Sequence, residues 1–226
     1  MYINRGSGFL GNMPPVVKNL VIINAIMLLI SMLTKEFMYE KFALFYFESP
    51  LFKPYQLVTH MFMHGNFLHL FFNMYSLIIF GIVLEQVWGS KKFFIYYMVT
   101  GLGAALLHSF VLFLEVSALE KAYEVGNMMA ANGIQAMYMT PTVGASGAVF
   151  GVLLAYGMLF PNNVLQLIFP PVALKAKWFV MIFGAIELYL GLSKPGSSIA
   201  HFAHLGGMLF GYLLILYWKR KNRMYF

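Results

Sequence analysis

The chain has 226 residues, of which 61% are hydrophobic and 10% charged, and its formal net charge is +7. A soluble domain normally carries about 25% charged residues, so a chain this apolar cannot present its surface to water, and its solvent is a bilayer. It contains no cysteine and no aspartate, which excludes disulfides, thiol nucleophiles, Cys-ligated metals and any Ser–His–Asp triad, and leaves His and Glu for acid–base chemistry.

A spanning helix needs about 20 residues to cross ~30 Å of hydrocarbon. Apolar runs mark six such spans in a single membrane domain, 1–226. The first is Val16–Leu33. The segment Met1–Pro15 before it is Gly-rich and lacks the small-residue cleavage site of a secretory signal, so this run is expected to stay as a span. An aromatic-rich outer segment, Thr34–Gly65, follows. The second span, Asn66–Val87, is approached through His60 and His64 and carries His69 and Asn73. The third is Lys91–Leu114. A long segment, Glu115–Val143, comes next, and Ser117–Ala131 within it reads as an amphipathic surface helix with Leu119, Met128 and Met129 on its apolar side. The fourth span, Ser146–Phe160, is short and stops at Pro161; Ala176–Leu192 is the fifth and Ile199–Trp218 the sixth. The expected fold is therefore an all-α polytopic membrane bundle of six helices.

Lys and Arg set the orientation. With six crossings both termini share a side, which holds Arg5, Lys18, Lys91, Lys92, Lys175, Lys177, Lys219, Arg220, Lys221 and Arg223 and is expected to be cytoplasmic. The other side takes Glu36, Glu40, Glu48, Glu115, Glu120 and Glu124. The positive balance is thus a topology signal directed at anionic headgroups. It is not a nucleic-acid surface, because the cations do not gather on one face. A bacterial inner membrane is the simplest setting.

Polar groups inside a membrane are costly and read first as functional. Three clusters fall at the outer ends of spans two, four and six: His60, His64, His69 and Asn73; Gly144-Ala145-Ser146-Gly147; and His201 and His204 followed by Gly206, Gly207 and Gly211. Gly-x-Ser-Gly resembles the nucleophile turn of hydrolases. By itself it reads as readily as a helix start with small packing residues. Gly147/Gly151 and Gly207/Gly211 each form a GxxxG, and packing of these two faces would bring Ser146 to His204. Serine becomes nucleophilic with a base at about 2.6–3.2 Å. His201, one turn before His204, is the rival base. His69 and Asn73 share a helix face and could donate to an oxyanion together with the Ser146 N–H; a helix-bundling polar pair is the plainer alternative. No H-E-x-x-H is present, so no metal or other cofactor is expected, and Thr59, His60 and His64 are expected to brace the outer loop. Glu187, inside span five, favours instead a small proton-coupled transporter.

Taken together, His60-Met-Phe-Met-His64-Gly-Asn-Phe-Leu-His69-Leu-Phe-Phe-Asn73, Gly144-Ala-Ser146-Gly147 and Ala203-His204-Leu-Gly-Gly207 with Gly211 resemble, in order and spacing, the signatures of the rhomboid intramembrane serine proteases. The resemblance covers about Thr59–Tyr212. It implies a serine endopeptidase acting on transmembrane protein substrates. Ser146 would be the nucleophile and His204 the base in a dyad without an acidic member. His69, Asn73 and the Ser146 N–H would form the oxyanion site, Phe150 would pack on the catalytic imidazole, and Glu85 would be a structural acceptor at a helix end. Where many members carry a Trp-Arg pair in the first outer loop, this chain has Pro54, Tyr55 and Gln56. Span five and the Gly191–Ala200 turn, with Pro195, Gly196, Ser197 and Ser198, are the expected route for substrate. A catalytically silent, client-binding relative is the main alternative; oligomeric state is left open.

Overall fold

The computed structural model describes residues 9–166, 171–193 and 199–221. Arg5, Pro195, Gly196, Ser197, Ser198 and Arg223 lie outside them. After a short 3-10 turn, Phe9–Asn12, come α1 (Pro15–Leu33), α2 (Lys35–Phe42) and α3 (Gln56–Thr59), the last running into a second 3-10 turn, His60–Phe62. Next, α4 (Phe67–Ser76), a π-helical turn (Leu77–Gly81) and α5 (Ile82–Trp88) form one rod. Then follow α6 (Ser90–Glu124), α7 (Met129–Met139), α8 (Ser146–Leu159), an antiparallel hairpin of β1 (Val164–Gln166) and β2 (Ala173–Lys175), α9 (Ala176–Ser193) and α10 (Ile199–Arg220).

Among the described residues, five helical stretches are long and apolar enough to cross a membrane: Pro15–Leu33, Phe67–Trp88, Ser90–Glu124, Ala176–Ser193 and His201–Arg220. At 14 residues, α8 is shorter. The protein is an all-α polytopic membrane bundle. Its apolar side chains are arranged for lipid: Leu29, Phe72, Leu106, Met181 and Leu213 point outward and are exposed, as expected when the surrounding solvent is hydrocarbon. The short helix α8 is the opposite case. Val149, Val152, Leu153 and Ala155 are buried among the other helices, so its length need not match the membrane.

The strand pair β1–β2 was not expected from the sequence, and span three and the surface helix have other bounds than expected. Span three does not end at Leu114, because α6 continues to Glu124 and takes in the first half of the expected amphipathic helix. It stops at Gly126, whose φ is +95°. There Gly126 N–H reaches the Tyr123 carbonyl and Asn127 N–H the Ala122 carbonyl, both at 3.0 Å, which is a glycine-terminated helix end. The surface helix is therefore α7. Met128 and Met129 are exposed, while Leu119 lies under Gly133 of α7.

Glu85 closes the start of the bundle. Its carboxylate accepts the Val16 and Val17 N–H groups at 2.9 and 2.8 Å and the Ser90 hydroxyl at 2.7 Å. It thereby satisfies first-turn donors of α1 that have no partner within their own helix. Buried donors left without an acceptor cost about 1–3 kcal/mol each, so Glu85→Ala is expected to destabilise the protein by about 3 kcal/mol, read as a lowered thermal midpoint in detergent.

The outer segments clasp one another. Leu44 and Thr142 exchange backbone hydrogen bonds of 2.9 and 2.8 Å, and the Tyr138 hydroxyl donates to Glu48 at 2.6 Å. Gln56 anchors the first outer loop. Its amide accepts from Lys53 N–H and donates to the Leu51 and Glu40 carbonyls. Thr59 donates to the Phe42 carbonyl at 2.8 Å. His60 Nδ1 pairs with the Gln56 carbonyl at 2.8 Å. Both His60 and His64 precede the membrane-spanning part of the rod and are buried, and burial lowers their pKa values to about 4 and about 3. An unfolded His titrates near about 6.5, so below that pH the unfolded chain gains protons that the fold refuses. Stability is complete above about pH 6.5 and falls as pH drops toward about 4. Thermal midpoints measured across this range are expected to decline, and His64→Leu is expected to flatten the slope.

Candidate active site

Ser146 opens α8. The first intrahelical bond of this helix runs from Val149 N–H to the Ala145 carbonyl at 3.0 Å, so the N–H groups of Ser146, Gly147 and Ala148 have no acceptor within the helix, and they sit at its positive end. The strand leading in is fixed from two sides. Gly144 N–H donates to the His60 carbonyl at 3.0 Å, and the Thr142 hydroxyl pairs with His108 Nε2 at 2.9 Å. Gly144 has φ +141°, a conformation that favours glycine, and a Cβ there would sit 3.1 Å from His69 Nε2.

The Oγ of Ser146 lies 2.8 Å from His204 Nε2. The imidazole of His204 stacks on Phe150 with ring centroids 4.2 Å apart and planes inclined by 6°, so its rotation is fixed by the residue one turn after Ser146. The approach of α10 to α8 depends on paired glycines, since a methyl group on Gly207 would overlap the Gly147 carbonyl. The two GxxxG motifs do not, however, zip along their whole length. Gly151 faces Thr100, and Gly211 faces the Tyr96 hydroxyl and Thr100. Both second glycines therefore lean on α6, whose Tyr96 hydroxyl donates to the Gly151 carbonyl at 2.8 Å.

His69 approaches from α4. Its Nδ1 accepts the Gly65 N–H at 3.4 Å, which leaves Nε2 as the protonated, donating nitrogen, on the side of Gly144 and Ser146. Asn73 is buried and gives one amide hydrogen to the His69 carbonyl at 2.9 Å. Its other amide hydrogen is the one an oxyanion role requires.

Sequence reasoning set Glu187 apart from this site, as support for a transporter, and weighed His201 only as a rival base. Glu187 is buried, and its Oε2 lies 2.6 Å from His201 Nδ1 and 3.0 Å from His204 Nδ1. The usable signal was an acid in an apolar span together with two His on one face of the next. These three are, among the described residues, the one group able to hold a metal ion, with ligand atoms within 4.8 Å of one another. An ion there would compete for the nitrogen of His204 that faces Glu187. His108 was also overlooked, and its role is to hold Thr142. A cavity of about 50 Å³ lies behind Ser146, bordered by His60, Met61, Ala104, His108 and Thr142. It is large enough and polar enough for a few waters.

A serine held by an imidazole beside a helix N-terminus can perform acyl transfer. Residues 51–221 match the family model described as the Rhomboid domain. The chain belongs to the rhomboid family. It is similar to RHOMBOID-like protein 6, mitochondrial, of Arabidopsis thaliana, with 30% identity over 162 residues, 72% of this chain and 43% of that protein. Rhomboid protease AarA of Providencia stuartii is 30% identical over 159 residues, 68% of this chain and 52% of that one. Rhomboid protein 1, mitochondrial, of Saccharomyces cerevisiae is 30% identical over 158 residues, 70% and 40% of the two chains. The chain spans about half or less of the length of these rhomboid relatives. Family membership and the apolar helices make it a multi-pass membrane protein.

Proposed function

We propose that this rhomboid is an intramembrane serine endopeptidase, a single membrane domain that cleaves peptide bonds in or near the transmembrane segments of membrane-protein substrates. The observation that carries the reading is the 2.8 Å contact between Ser146 Oγ and His204 Nε2. Ser146 attacks the scissile carbonyl carbon while His204 Nε2 takes its proton. The negative charge that forms on the carbonyl oxygen is met by the Ser146 N–H, His69 Nε2–H and Asn73. Collapse of this intermediate breaks the C–N bond, and His204 gives the proton to the leaving amine. Water then repeats the sequence on the acyl-serine, with His204 as its base, and releases the second product.

A substrate helix hides its carbonyls in its own i→i−4 bonds, so segments with helix-breaking residues near the scissile bond are the preferred ones. Access is past α9, which buries only Ala176, Val180, Glu187 and Gly191. The reading includes six crossings with both termini cytoplasmic and the site toward the outer face, in a plasma membrane. The transporter reading uses Glu187 and the histidines, which lie together; the contact of Ser146 with His204 is what supports the protease reading over it. The test is incubation of the purified protein with a model transmembrane substrate, wild type against Ser146→Ala. Equal cleavage by both, or failure of Ser146 to react with a fluorophosphonate, would sink the reading; the second result favours a client-binding protein.

A further inference from the structure

Resting on that reading of Ser146 and His204, we propose that Glu187 is the positioning residue of the base, making the working unit Ser146–His204–Glu187, with His201 steadying the carboxylate. The rhomboid resemblance implies a Ser–His pair with no acidic member, so this chain carries an addition to it.

The argument starts from the two nitrogens of one ring. His204 Nε2 faces Ser146 Oγ at 2.8 Å. To take the serine proton, Nε2 must carry a lone pair, and the ring proton of a neutral imidazole must then be on Nδ1. That Nδ1 is buried and makes no hydrogen bond of good geometry, yet Glu187 Oε2 stands 3.0 Å away. The carboxylate oxygen is thus within reach but off the N–H axis, and a small turn of the side chain aligns it. No other acid is near: the remaining seven glutamates lie in the outer segments or, for Glu85, at the start of α1.

The position of Glu187 is itself constrained. His201 Nδ1 holds the same Oε2 at 2.6 Å, and His201 and His204, three residues apart, lie on one face of α10. An acid in an apolar helix is costly unless paired; here both partners are imidazoles of the neighbouring helix. Glu187 thereby selects the base-competent tautomer of His204 and stabilises the imidazolium that forms when Ser146 gives up its proton. The groups facing His204 are then complete: Ser146 from α8, Glu187 from α9, His69 from α4 and His201 on α10 itself.

The test has two arms. In ¹⁵N-histidine-labelled protein, the wild type is expected to show His204, assigned with His204→Ala, protonated on Nδ1, and Glu187→Gln is expected to lose that preference. In kinetics normalised to fluorophosphonate-reactive Ser146, Glu187→Gln is expected to lower kcat by about 10- to 100-fold, the scale on which losing the outer hydrogen-bond partner of a metal-ligating imidazole acts. KM is expected to stay within about 3-fold, since Glu187 does not bind substrate. Glu187→Asp should recover part of the loss. Unchanged nitrogen shifts, or a kcat per reactive serine within about 2-fold of wild type, would overturn the proposal even if the Ser146→Ala result upholds the protease. If the wild type cleaves nothing, the protease reading falls, and the nitrogen shifts still decide whether Glu187 fixes His204.

Discussion

Ser146→Ala and His204→Ala are each expected to reduce cleavage of a transmembrane substrate to background, and the double variant is expected to be no worse than either. Nucleophile and base act as one unit. Without the imidazole the hydroxyl keeps its proton, and without the hydroxyl the imidazole has nothing to activate. In serine proteases the loss of either member costs about 10⁶-fold in kcat, and such losses do not add. The fold should survive both changes, because the 2.8 Å contact sits on a scaffold held by other residues: Gly207 on Gly147 and Tyr96 on the Gly151 carbonyl. His201→Ala is the informative companion. It removes the 2.6 Å partner of Glu187 but leaves Nε2 of His204 on Ser146. Its expected cost is about 10-fold, the worth of one hydrogen bond to a charged group. Cleavage rates in detergent or liposomes separate the two cases. A His201→Ala variant as inactive as His204→Ala would reverse the assignment of the base.

The sequence made the membrane class legible, because so few charges in so long a chain leave no alternative. It also made the three polar clusters legible, since buried polar groups in apolar runs have few reasons to exist. Ser146, His204, His69 and Phe150 do come together. Asn73 lies on the same helix face with one amide hydrogen committed to its own backbone. What remained hidden was rotational phase. A GxxxG announces close approach without naming the partner, so Gly151 and Gly211 turned out to face α6. The direction in which Glu187 points is set by how α9 packs, with Val180 against Gly157 and Phe202 over Gly191, and no local pattern encodes that. The end of α6 was readable, since Gly126-Asn127 is a helix stop, but the apolar periodicity across it hid the signal.

Gly207→Ala tests the geometry from the side of packing. A single methyl group at this position would occupy the space of the Gly147 carbonyl, and the obstacle is backbone, not a flexible side-chain tip. The helices α8 and α10 must therefore separate or tilt. Overpacking of this kind costs at the upper end of the usual range, about 3 kcal/mol or more, so the thermal midpoint should fall clearly. The effect on activity should be larger still. Ser146 lies just before Gly147 on α8 and His204 one turn before Gly207 on α10, so any separation at the glycines is passed to the Ser146–His204 contact. A displacement of about 1 Å between reacting groups can cost about 100-fold in rate. Gly184→Ala is the matched control. There the new Cβ would meet only the Met208 side chain, Cε at 3.2 Å and Sδ at 3.7 Å, and a methionine tip can move aside. That variant is expected to keep stability and cleavage close to wild type. If Gly207→Ala did so as well, the close α8–α10 contact would not be what sets the distance between Ser146 and His204.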